Sequence, residues 1–426
     1  MSSTPARTPR LPASERRRQL LDAALDILAT EGFDAISVES VARRAGVTRP
    51  VVYDQFGDLD GLLVALVDRE EATALAPLGA ILGDPGDIDP DRFLVEGVRG
   101  FLRAVRSAPR TWRLVLMPPD GGSPDLRERV QRGRNMITAR VAELLDWGIA
   151  GRGGPLGLDV DLLARLVVAL GEDGARLLVA HPRRYSPDRL TGLVERLVVL
   201  VPRSGAIEAA ETFAPQPLPP SRPVPAVAGR VPRPQRREQL LDHALALIGE
   251  DGFDALNMEA LARRAAVNRV VVYRSFTGLP ALLLALVRRE QAHVRAQLEA
   301  LVPTEPGDRT PRQLLTESLE GFLDLVTEDA LSWRVALMRP ESAPAIAQKV
   351  VARQRADLAE RLRPLVAWGI GGLPVELPEG DTDLLARALL TVSEELGRIA
   401  LEEPTFPKAR LADSTRRFLG LLPWAD

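Results

Sequence analysis

The strongest constraint on the fold is that the chain repeats itself. Residues 20–70 align without a gap with residues 240–290, an offset of 240 − 20 = 220. Farther along, Trp147 matches Trp368 at an offset of 221, and Leu162 matches Leu384 at 222. Because the register drifts by only two residues, one whole structural unit has been duplicated. The fold must therefore accommodate two similar units in one chain.

Within each unit the apolar residues recur at the spacing of an α-helix. The first predicted helix stops at Gly32 and carries on one face Leu20, Leu21, Ala24, Leu25 and Leu28. Ser37 and its counterpart Asn257 are favourable N-caps for a second helix. Strand-like alternation of any length is absent from the sequence. The sequence therefore predicts an all-α fold.

Composition excludes several kinds of chemistry. The chain has no cysteine, so disulfides and thiolate chemistry are not available, as is usual in a reducing cytosol. The three histidines lack the spacing of metal ligands, since they lie far apart at His181, His243 and His293. Catalytic triads, paired catalytic carboxylates and phosphate-binding glycine loops are not evident. We therefore expect no metal, no cofactor and no enzymatic activity.

Charge and hydropathy give no sign of a membrane protein. The formal net charge is −3, and only Lys349 and Lys408 are lysine, which leaves 55 − 2 = 53 arginines. Such a bias is typical of a GC-rich genome and is not by itself a binding signal. No apolar run reaches the roughly 18 residues that a membrane span needs, and residues 1–14 lack the apolar core of a signal peptide. We expect a cytoplasmic protein with no membrane partner.

A proline-rich stretch separates the two units. Residues 202–234 contain nine prolines and favour an extended polyproline conformation. At about 3.1 Å per residue this stretch can span up to roughly 100 Å, enough to reach a second unit lying beside the first. The predicted domains are a helix-turn-helix domain at 13–75, a helical effector and dimerisation domain at 76–201, the linker at 202–234, a second helix-turn-helix domain at 235–295 and a second helical domain at 296–426.

The most informative segment is residues 37–66, which returns as residues 257–286. It predicts a short helix, a tight turn at Gly46 and Val47, and a second short helix that ends near Phe56. This is the pattern of a helix-turn-helix motif, whose second helix can enter the major groove of DNA.

The residues of this segment resemble the tetracycline-repressor (TetR) family of bacterial regulators. In the first copy a helix ending Ala-Arg-Arg-Ala-Gly-Val precedes a Tyr-x-x-Phe pair, Tyr53 with Phe56, which returns as Tyr273 with Phe276. The resemblance implies two tandem TetR-like units, each with an N-terminal three-helix helix-turn-helix domain and a C-terminal helical effector and dimerisation domain. It also implies an intrachain pseudo-dimer on a double-stranded DNA operator, with a small ligand that changes the spacing of the two motifs. The operator need not be palindromic because the copies differ, and further homodimerisation of the chain stays open.

By the same resemblance, DNA contacts are expected from the second motif helix and from the helix starts around it. Side chains there can reach base edges or phosphates, and a helix N-terminus attracts phosphate. The predicted DNA-binding residues of the first copy are Ser37, Arg44, Thr48, Arg49, Pro50 and Tyr53. Those of the second copy are Asn257, Arg264, Asn268, Arg269, Val270, Tyr273 and Arg274.

Arginines also precede each motif, and two interpretations of them stay open. They are either arms that reach phosphate or the minor groove, or solvated tails. They comprise Arg7, Arg10, Arg16, Arg17 and Arg18 in the first copy and Arg230, Arg233, Arg236 and Arg237 in the second.

The two copies differ in charge. Residues 1–71 hold nine Arg and twelve Asp or Glu, hence 9 − 12 = −3. Residues 228–291 hold ten Arg and seven Asp or Glu, hence 10 − 7 = +3. Because phosphate neutralisation supplies much of DNA affinity, the second copy is expected to bind DNA more strongly.

Repeated aromatic and methionine residues in the helical domains are candidates for a ligand pocket. They are Trp112, Met117, Trp147, Trp333, Met338 and Trp368. Such residues at helical spacing also suit an ordinary core, so both interpretations stay open. A pocket built from them would favour an apolar or aromatic small-molecule effector.

Together these patterns favour a ligand-responsive DNA-binding transcriptional regulator, which we expect to be a repressor. The alternative is a small-molecule or protein-binding module whose degenerate helix-turn-helix units no longer bind DNA. Leu59 and Leu279 stand where the family commonly has a phosphate-binding lysine, and Asp54 places negative charge near the expected phosphates. These three residues keep the alternative open.

Overall fold

The computed structural model describes residues 11–32, 35–116, 124–205, 213–217, 232–252, 255–303, 305–338, 345–378 and 380–424. In these ranges the regular structure is helical and no β-strand is present, which confirms the all-α prediction. The two units repeat the same order of helices within the described ranges, as the internal repeat predicts.

The first unit has a head of three helices followed by a helical body. Head one consists of α1 (Ala13–Glu31), α2 (Val38–Arg44) and α3 (Arg49–Phe56). Body one consists of α4 (Leu59–Ile81), α5 (Pro90–Ser107), α6 (Pro109–Leu116), α7 (Pro124–Gly151), α8 (Val160–Ala180) and α9 (Pro187–Val198).

The second unit repeats this arrangement. Head two consists of α10 (Arg233–Asp251), α11 (Met258–Arg264) and α12 (Arg269–Ser275). Body two consists of α13 (Leu279–Leu301), α14 (Pro311–Glu328), α15 (Ala330–Ala336), α16 (Ala345–Ile370), α17 (Asp381–Glu402) and α18 (Lys408–Leu421). Helix α10 begins before the predicted end of the linker, because Pro234 in its first turn lacks only an N–H that the helix does not use.

Polar side chains fix the first turn of the second helix in each head, as predicted. The Ser37 hydroxyl accepts the backbone N–H of Ser40 at 3.0 Å, and the Ser40 hydroxyl accepts the N–H of Ser37 at 2.8 Å. Asn257 accepts the N–H groups of Glu259 and Ala260 at 3.1 and 2.8 Å. These caps satisfy N–H groups that have no partner inside the helix.

The core of each head orients its third helix. Equivalent apolar side chains are fully buried in both heads, namely Leu20, Val41 and Val52 in head one and Leu240, Leu261 and Val272 in head two. Since Val52 lies on α3 and Val272 on α12, one face of each of these helices is held against the core. The opposite face is turned to solvent.

A single long helix joins each head to its body. Helix α4 runs through the predicted domain boundary at residue 75, and α13 runs through the one at residue 295. Helix α13 can therefore transmit a change at its body end to head two along a continuous hydrogen-bonded rod, whereas Pro77 interrupts the hydrogen bonds of α4 near its body end.

No single helix in the described ranges is both long and apolar enough to cross a membrane. Helices α12 and α13 reach the length and apolar composition of a membrane span only when they are combined, and they are bent by 62° relative to each other.

The two bodies pack against each other through α8 and α17. Leu162 of α8 is buried among apolar residues of body two, and Leu384 of α17 is buried among those of body one. Because each half completes the apolar core of the other, the two bodies form one continuous packed structure.

Arginine–carboxylate pairs join the two bodies in matched sets. Arg134 donates to Glu395 at 2.9 Å, and its counterpart Arg355 donates to Asp173 at 2.8 Å. A second set joins Arg189 to Asp381 at 3.3 Å and Arg410 to Asp159 at 2.7 Å. Each set contains the same pairing in both directions, as an approximate two-fold relation between the bodies requires.

The turn of the motif supplies a first testable prediction. Gly46 adopts a φ of 66°, and its counterpart Ala266 adopts a φ of 53°, where a Cβ atom is strained. Replacing Ala266 with glycine should raise the stability of head two by about 1 kcal/mol, measured by urea denaturation. The reverse change, Gly46→Ala, should lower the stability of head one by a similar amount. If Ala266→Gly lowered the stability of head two, a left-handed backbone conformation at residue 266 would be contradicted.

The contacts of Asp159 predict how the joined bodies respond to pH. Burial alone would raise the pKa of this carboxyl, but hydrogen bonds from Arg410, Leu162 and Ser414 and the charge of Arg410 outweigh it and lower the pKa. A lowered folded-state pKa gives stability that is present above the unfolded pKa of about 3.9 and is lost as the pH falls through the folded value.

Asp159→Asn should therefore lower the denaturation midpoint at pH 7, and this effect should become smaller as the pH falls below the unfolded pKa. The matched control is Asp161→Asn. This variant removes the same charge near Arg410, but Asp161 is 74% exposed and its carboxylate lies 3.8 Å from the guanidinium, so its contribution to stability should be small. A pH-independent effect of Asp159→Asn would contradict the role of the charged carboxylate.

Candidate nucleic-acid interface

The outer faces of α3 and α12 carry the side chains expected to contact DNA. Tyr53 is 49% exposed in head one, and Tyr273 and Val270 are 44% and 55% exposed in head two. Exposed large hydrophobic side chains on otherwise well-packed helices are available for a partner surface. The remaining predicted residues of these helix starts are also exposed, namely Thr48, Arg49, Pro50, Asn268 and Arg269.

The two helix starts differ in chemistry. The Asn268 side chain accepts the backbone N–H of Val270 at 2.9 Å and thereby caps α12. Thr48 occupies the capping position of α3 but makes no side-chain capping bond. The position after the first helical residue is Pro50 in α3 and Val270 in α12, so the two helices present different surfaces at equivalent places.

Carboxylates of head one hold its arginines. Arg49 forms an ion pair with Glu39, and Arg44 forms ion pairs with Asp26 and Glu31. These arginines therefore have local partners that compete with phosphate.

In head two the arginine at the start of the motif helix is held differently. The Arg269 guanidinium lies 5.5 Å from the centroid of the Tyr273 ring and donates to the Tyr273 hydroxyl at 3.3 Å. This hydrogen bond raises the pKa of Arg269, so the side chain stays charged while pointing along the exposed face of α12. Arg264, by contrast, makes a two-pronged pair with Glu250 at 2.5 and 2.6 Å.

Two arginines that precede the motif in the sequence hold α3 and α12 in place. Arg17 donates to the backbone oxygen of Gln55 at 2.8 Å and lies 4.4 Å from the centroid of the Phe56 ring. Its counterpart Arg237 donates to the oxygen of Ser275 at 2.7 Å and lies 4.3 Å from the Phe276 ring. These two side chains hold the C-terminal ends of the motif helices, a role that the repeat signalled but that we did not predict. Arg7, Arg10 and Arg230 lie outside the described residues.

The three residues that departed from the family pattern have clear positions. Leu59 and Leu279 begin α4 and α13 and pack, partly buried, on the cores of their heads. They contribute apolar contact in place of a charged contact to phosphate. Asp54 is exposed on α3 beside Tyr53.

A strictly aligned comparison enlarges the charge difference between the heads. Residues 13–71 hold seven Arg and twelve acidic residues, hence 7 − 12 = −5, and residues 233–291 hold nine and seven, hence 9 − 7 = +2. Head two therefore carries the field that attracts a polyanion, and head one opposes it.

Body two encloses a cavity of about 360 Å³. Its walls come from α13 to α17 and include Trp333 and Met338, two of the six predicted pocket residues. Trp333 packs edge-on against Phe322 at 5.1 Å, and its indole N–H donates to Gln297 at 2.9 Å. The volume falls at the small end of the range for ligand pockets.

The other predicted pocket residues lie elsewhere. Trp112 is buried in the core of body one, edge-on to Phe101 at 5.2 Å. Trp147 packs on Phe93 at 5.5 Å, and the half-buried Trp368 near the end of α16 is not among the cavity walls. Both lie near the C-terminal ends of their helices, away from the middle of the bundle. Met117 lies outside the described residues.

Charged residues around the cavity balance one another, and sequence reasoning missed them. Three arginines and three carboxylates border it, namely Arg295, Arg355 and Arg361 with Glu299, Asp357 and Glu394. Arg361 pairs with Glu299 at 3.1 Å, and Arg355 pairs with Glu394 at 3.1 Å. The cavity is therefore an apolar space with a polar edge that is largely neutralised.

Comparison with known proteins identifies a family and several relatives. The model of the bacterial regulatory proteins of the tetR family matches residues 20–66 and 240–286. The transcriptional regulator AlkX of Mycobacterium tuberculosis is 37% identical over 154 residues, which cover 34% of this chain and 69% of AlkX. The transcriptional activator FasR of Mycolicibacterium smegmatis is 26% identical over 181 residues, 42% of this chain and 79% of FasR. Among solved structures, a TetR-like transcriptional regulator from Rhodococcus sp. RHA1 is 28% identical over 45% of this chain and 97% of that chain, with a TM-score of 0.38.

Two exposed motif helices on two packed heads define a helix-turn-helix DNA-binding regulator. Both matched segments coincide with the heads, and each relative covers about one unit of the chain. The chain belongs to the TetR family, as a tandem duplication, and it is a ligand-responsive DNA-binding transcriptional regulator. The alternative of a binding module with degenerate motifs is not favoured.

The carboxylate that holds Arg49 generates a prediction about DNA affinity. Glu39→Gln should free Arg49 for phosphate, increase DNA affinity and steepen the salt dependence by up to about 0.9 in the logarithmic slope. Fluorescence anisotropy with duplex DNA from around the gene, over a salt series, measures both effects.

The matched control is Glu259→Gln, which removes the same charge at the equivalent position of head two. There Arg269 is already held by Tyr273, so the gain should be smaller. Equal gains in the two variants would mean that only the overall charge matters and that Glu39 does not restrain Arg49.

Proposed function

We propose that one chain binds one asymmetric DNA operator through both heads, as a single-chain pseudo-dimer, and that a small apolar effector in body two controls this binding. The observation that supports this proposal best is the matched set of ion pairs between the bodies. In it each half supplies to the other the partner that a second subunit would supply in a homodimer.

The packing of the bodies supports the pseudo-dimer. Asp173 and Glu395 are 6% and 4% exposed and face arginines of the opposite half. Breaking such a buried pair by removing one partner typically costs about 3–5 kcal/mol, because the remaining charge is left buried and unpaired, so each half depends on the charges that the other supplies. Heads held by joined bodies can meet successive major grooves, which lie about 34–36 Å apart. Further association of two chains is not needed for two-headed binding.

The different helix starts support an asymmetric operator. In head two, Asn268 and Arg269 can donate to base edges or phosphates, and the exposed methyl groups of Val270 suit contact with a thymine methyl. In head one the same places carry Thr48, Arg49 and Pro50. We assign phosphate contacts to Tyr53 and Tyr273 and to the N-caps Ser37 and Asn257, and a flanking role to Arg44, Arg264 and Arg274.

Head two is proposed to supply most of the affinity. It has the positive aligned charge, and its Arg269 is free of a carboxylate partner within ion-pair distance among the described residues. Arg269→Ala should therefore weaken binding more than Arg49→Ala.

The cavity in body two supports a compact, uncharged and apolar or aromatic effector. Its apolar walls include Phe322, Trp333 and several leucines, and its bordering charges are largely paired. An uncharged ligand would leave those pairs intact, whereas a charged one would have to displace a partner. The proposed domains remain 13–75, 76–201, 202–234, 235–295 and 296–426. We also propose that the chain represses transcription and that it acts in the bacterial cytoplasm.

A test of the assembly is the stoichiometry on DNA. Gel shifts with fragments from around the gene should identify an operator whose binding weakens steeply with salt, and light scattering should give one chain per duplex. Inserting about five base pairs, half a helical turn, between the half-sites should abolish two-headed binding. Two chains per operator would contradict the pseudo-dimer, and a lack of any salt-sensitive shift would overturn the regulator itself.

A further inference from the structure

Arg134 and Arg355 are equivalent residues, separated by 355 − 134 = 221 positions. Each donates to a carboxylate of its own half, Arg134 to Glu172 at 3.0 Å and Arg355 to Glu394 at 3.1 Å. Each also donates across the interface, Arg134 to Glu395 and Arg355 to Asp173. The two arginines therefore bridge the halves in the same way.

The two arginines differ in their relation to the cavity. Arg355 and its partner Glu394 are part of the described cavity wall, whereas Arg134 and Glu395 are not. Asp173, on the far side of Arg355, does not touch the cavity either. A molecule in the cavity thus contacts one of the two bridges directly and leaves the other untouched.

The geometry of Arg355 leaves little freedom to adjust. Its Nε donates to Glu394, its Nη1 to Asp173 at 2.8 Å and its Nη2 to Thr391 at 2.6 Å. Burial alone would lower the pKa of Arg355, but the charges of Glu394 and Asp173 outweigh it and raise the pKa, so the group stays charged. Because the guanidinium is a rigid plane, a shift at the cavity changes all three bonds together.

A connected set of bonds continues from Asp173 to head one. On the same helix Arg176 donates to the backbone oxygen of Leu116, the last residue of α6, at 3.4 Å. From α6, Arg113 donates to the backbone oxygen of Ala29 in α1 at 3.0 Å. Helix α8 therefore contacts, through α6, the first helix of head one.

We propose that Arg355 is a positioning residue that links the body-two cavity to head one. When a molecule occupies the cavity, Arg355 shifts and transmits this change across the interface to Asp173 and from there to head one. The proposal rests on the proposed function of that cavity as the effector site. One bound molecule in body two then acts on both heads, on head two through α13 and on head one through Arg355 and Asp173. Arg134 holds the halves together without this role.

The absence of cysteine from the chain allows a direct test. Cysteines placed at Arg43 and Arg263, equivalent exposed positions in the two heads, accept spin labels at two chosen sites. Electron–electron double resonance then gives the head-to-head distance with and without the neutral aromatic dye N-phenylnaphthylamine. The fluorescence of the dye reports separately whether it binds.

The informative variant is Asp173→Asn, which removes the negative charge that holds Arg355 across the interface and leaves the residues of the cavity wall unchanged. Its matched control is Glu395→Gln, which removes the equivalent charge opposite Arg134. In the unsubstituted chain and in Glu395→Gln the dye should shift the distance. In Asp173→Asn the dye should still bind, but the shift in distance should be lost.

Each outcome decides the matter. A shift that survives in Asp173→Asn, or that falls equally in both variants, would overturn the role of Arg355 while leaving the cavity as an effector site. Dye binding without any shift in the unsubstituted chain would overturn it as well. If the dye does not bind at all, the proposed effector site fails, and the inference about Arg355 fails with it.

Discussion

The structure depends on the buried arginine–carboxylate pairs that join the two bodies. Four carboxylates, Asp159, Asp173, Asp381 and Glu395, are almost withdrawn from water and are matched by arginines of the opposite half. A carboxylate that is buried at this interface without its partner is costly, so the joined bodies need the arginines that each supplies to the other. Apolar contacts around Leu162 and Leu384 are not directional and do not by themselves fix the position of one body relative to the other. The ion pairs are directional and do fix it.

Joining the halves in one chain changes what each head must do. In a homodimer both heads have the same sequence and must read the same half-site, whereas here the two sequences are free to diverge. They have done so where it affects DNA: Arg49 is paired with Glu39, while Arg269 lies along Tyr273. Because the joined bodies keep the two heads together, the proposed weaker head one would still meet DNA at a high effective concentration once head two is bound.

Much of the fold could be predicted from the sequence because its signals are local. Helical periodicity, the caps Ser37 and Asn257 and the repeat at 220 depend on neighbouring residues, and the structure agrees with each. The cavity could not be predicted in the same way. In the sequence Arg355 and Glu394 look like ordinary charged residues on solvated helix faces. Only the packing of α16 against α17, and of α17 against α8, buries them. Similarly, the pairing of Arg49 with Glu39 depends on the crossing of α2 and α3, which periodicity does not specify.

The continuity of α13 explains why body two is a suitable place for control. This helix lines the cavity through Val294 and Leu298 and, two to three turns earlier, contributes Leu286 to the core of head two. A displacement at the cavity therefore cannot be absorbed by a flexible hinge before it reaches the head. Because close-packed cores rearrange between discrete states and do not deform smoothly, even a small ligand can select one arrangement of the heads. The packing that joins the two halves is thus the route by which the proposed effector would act on both heads.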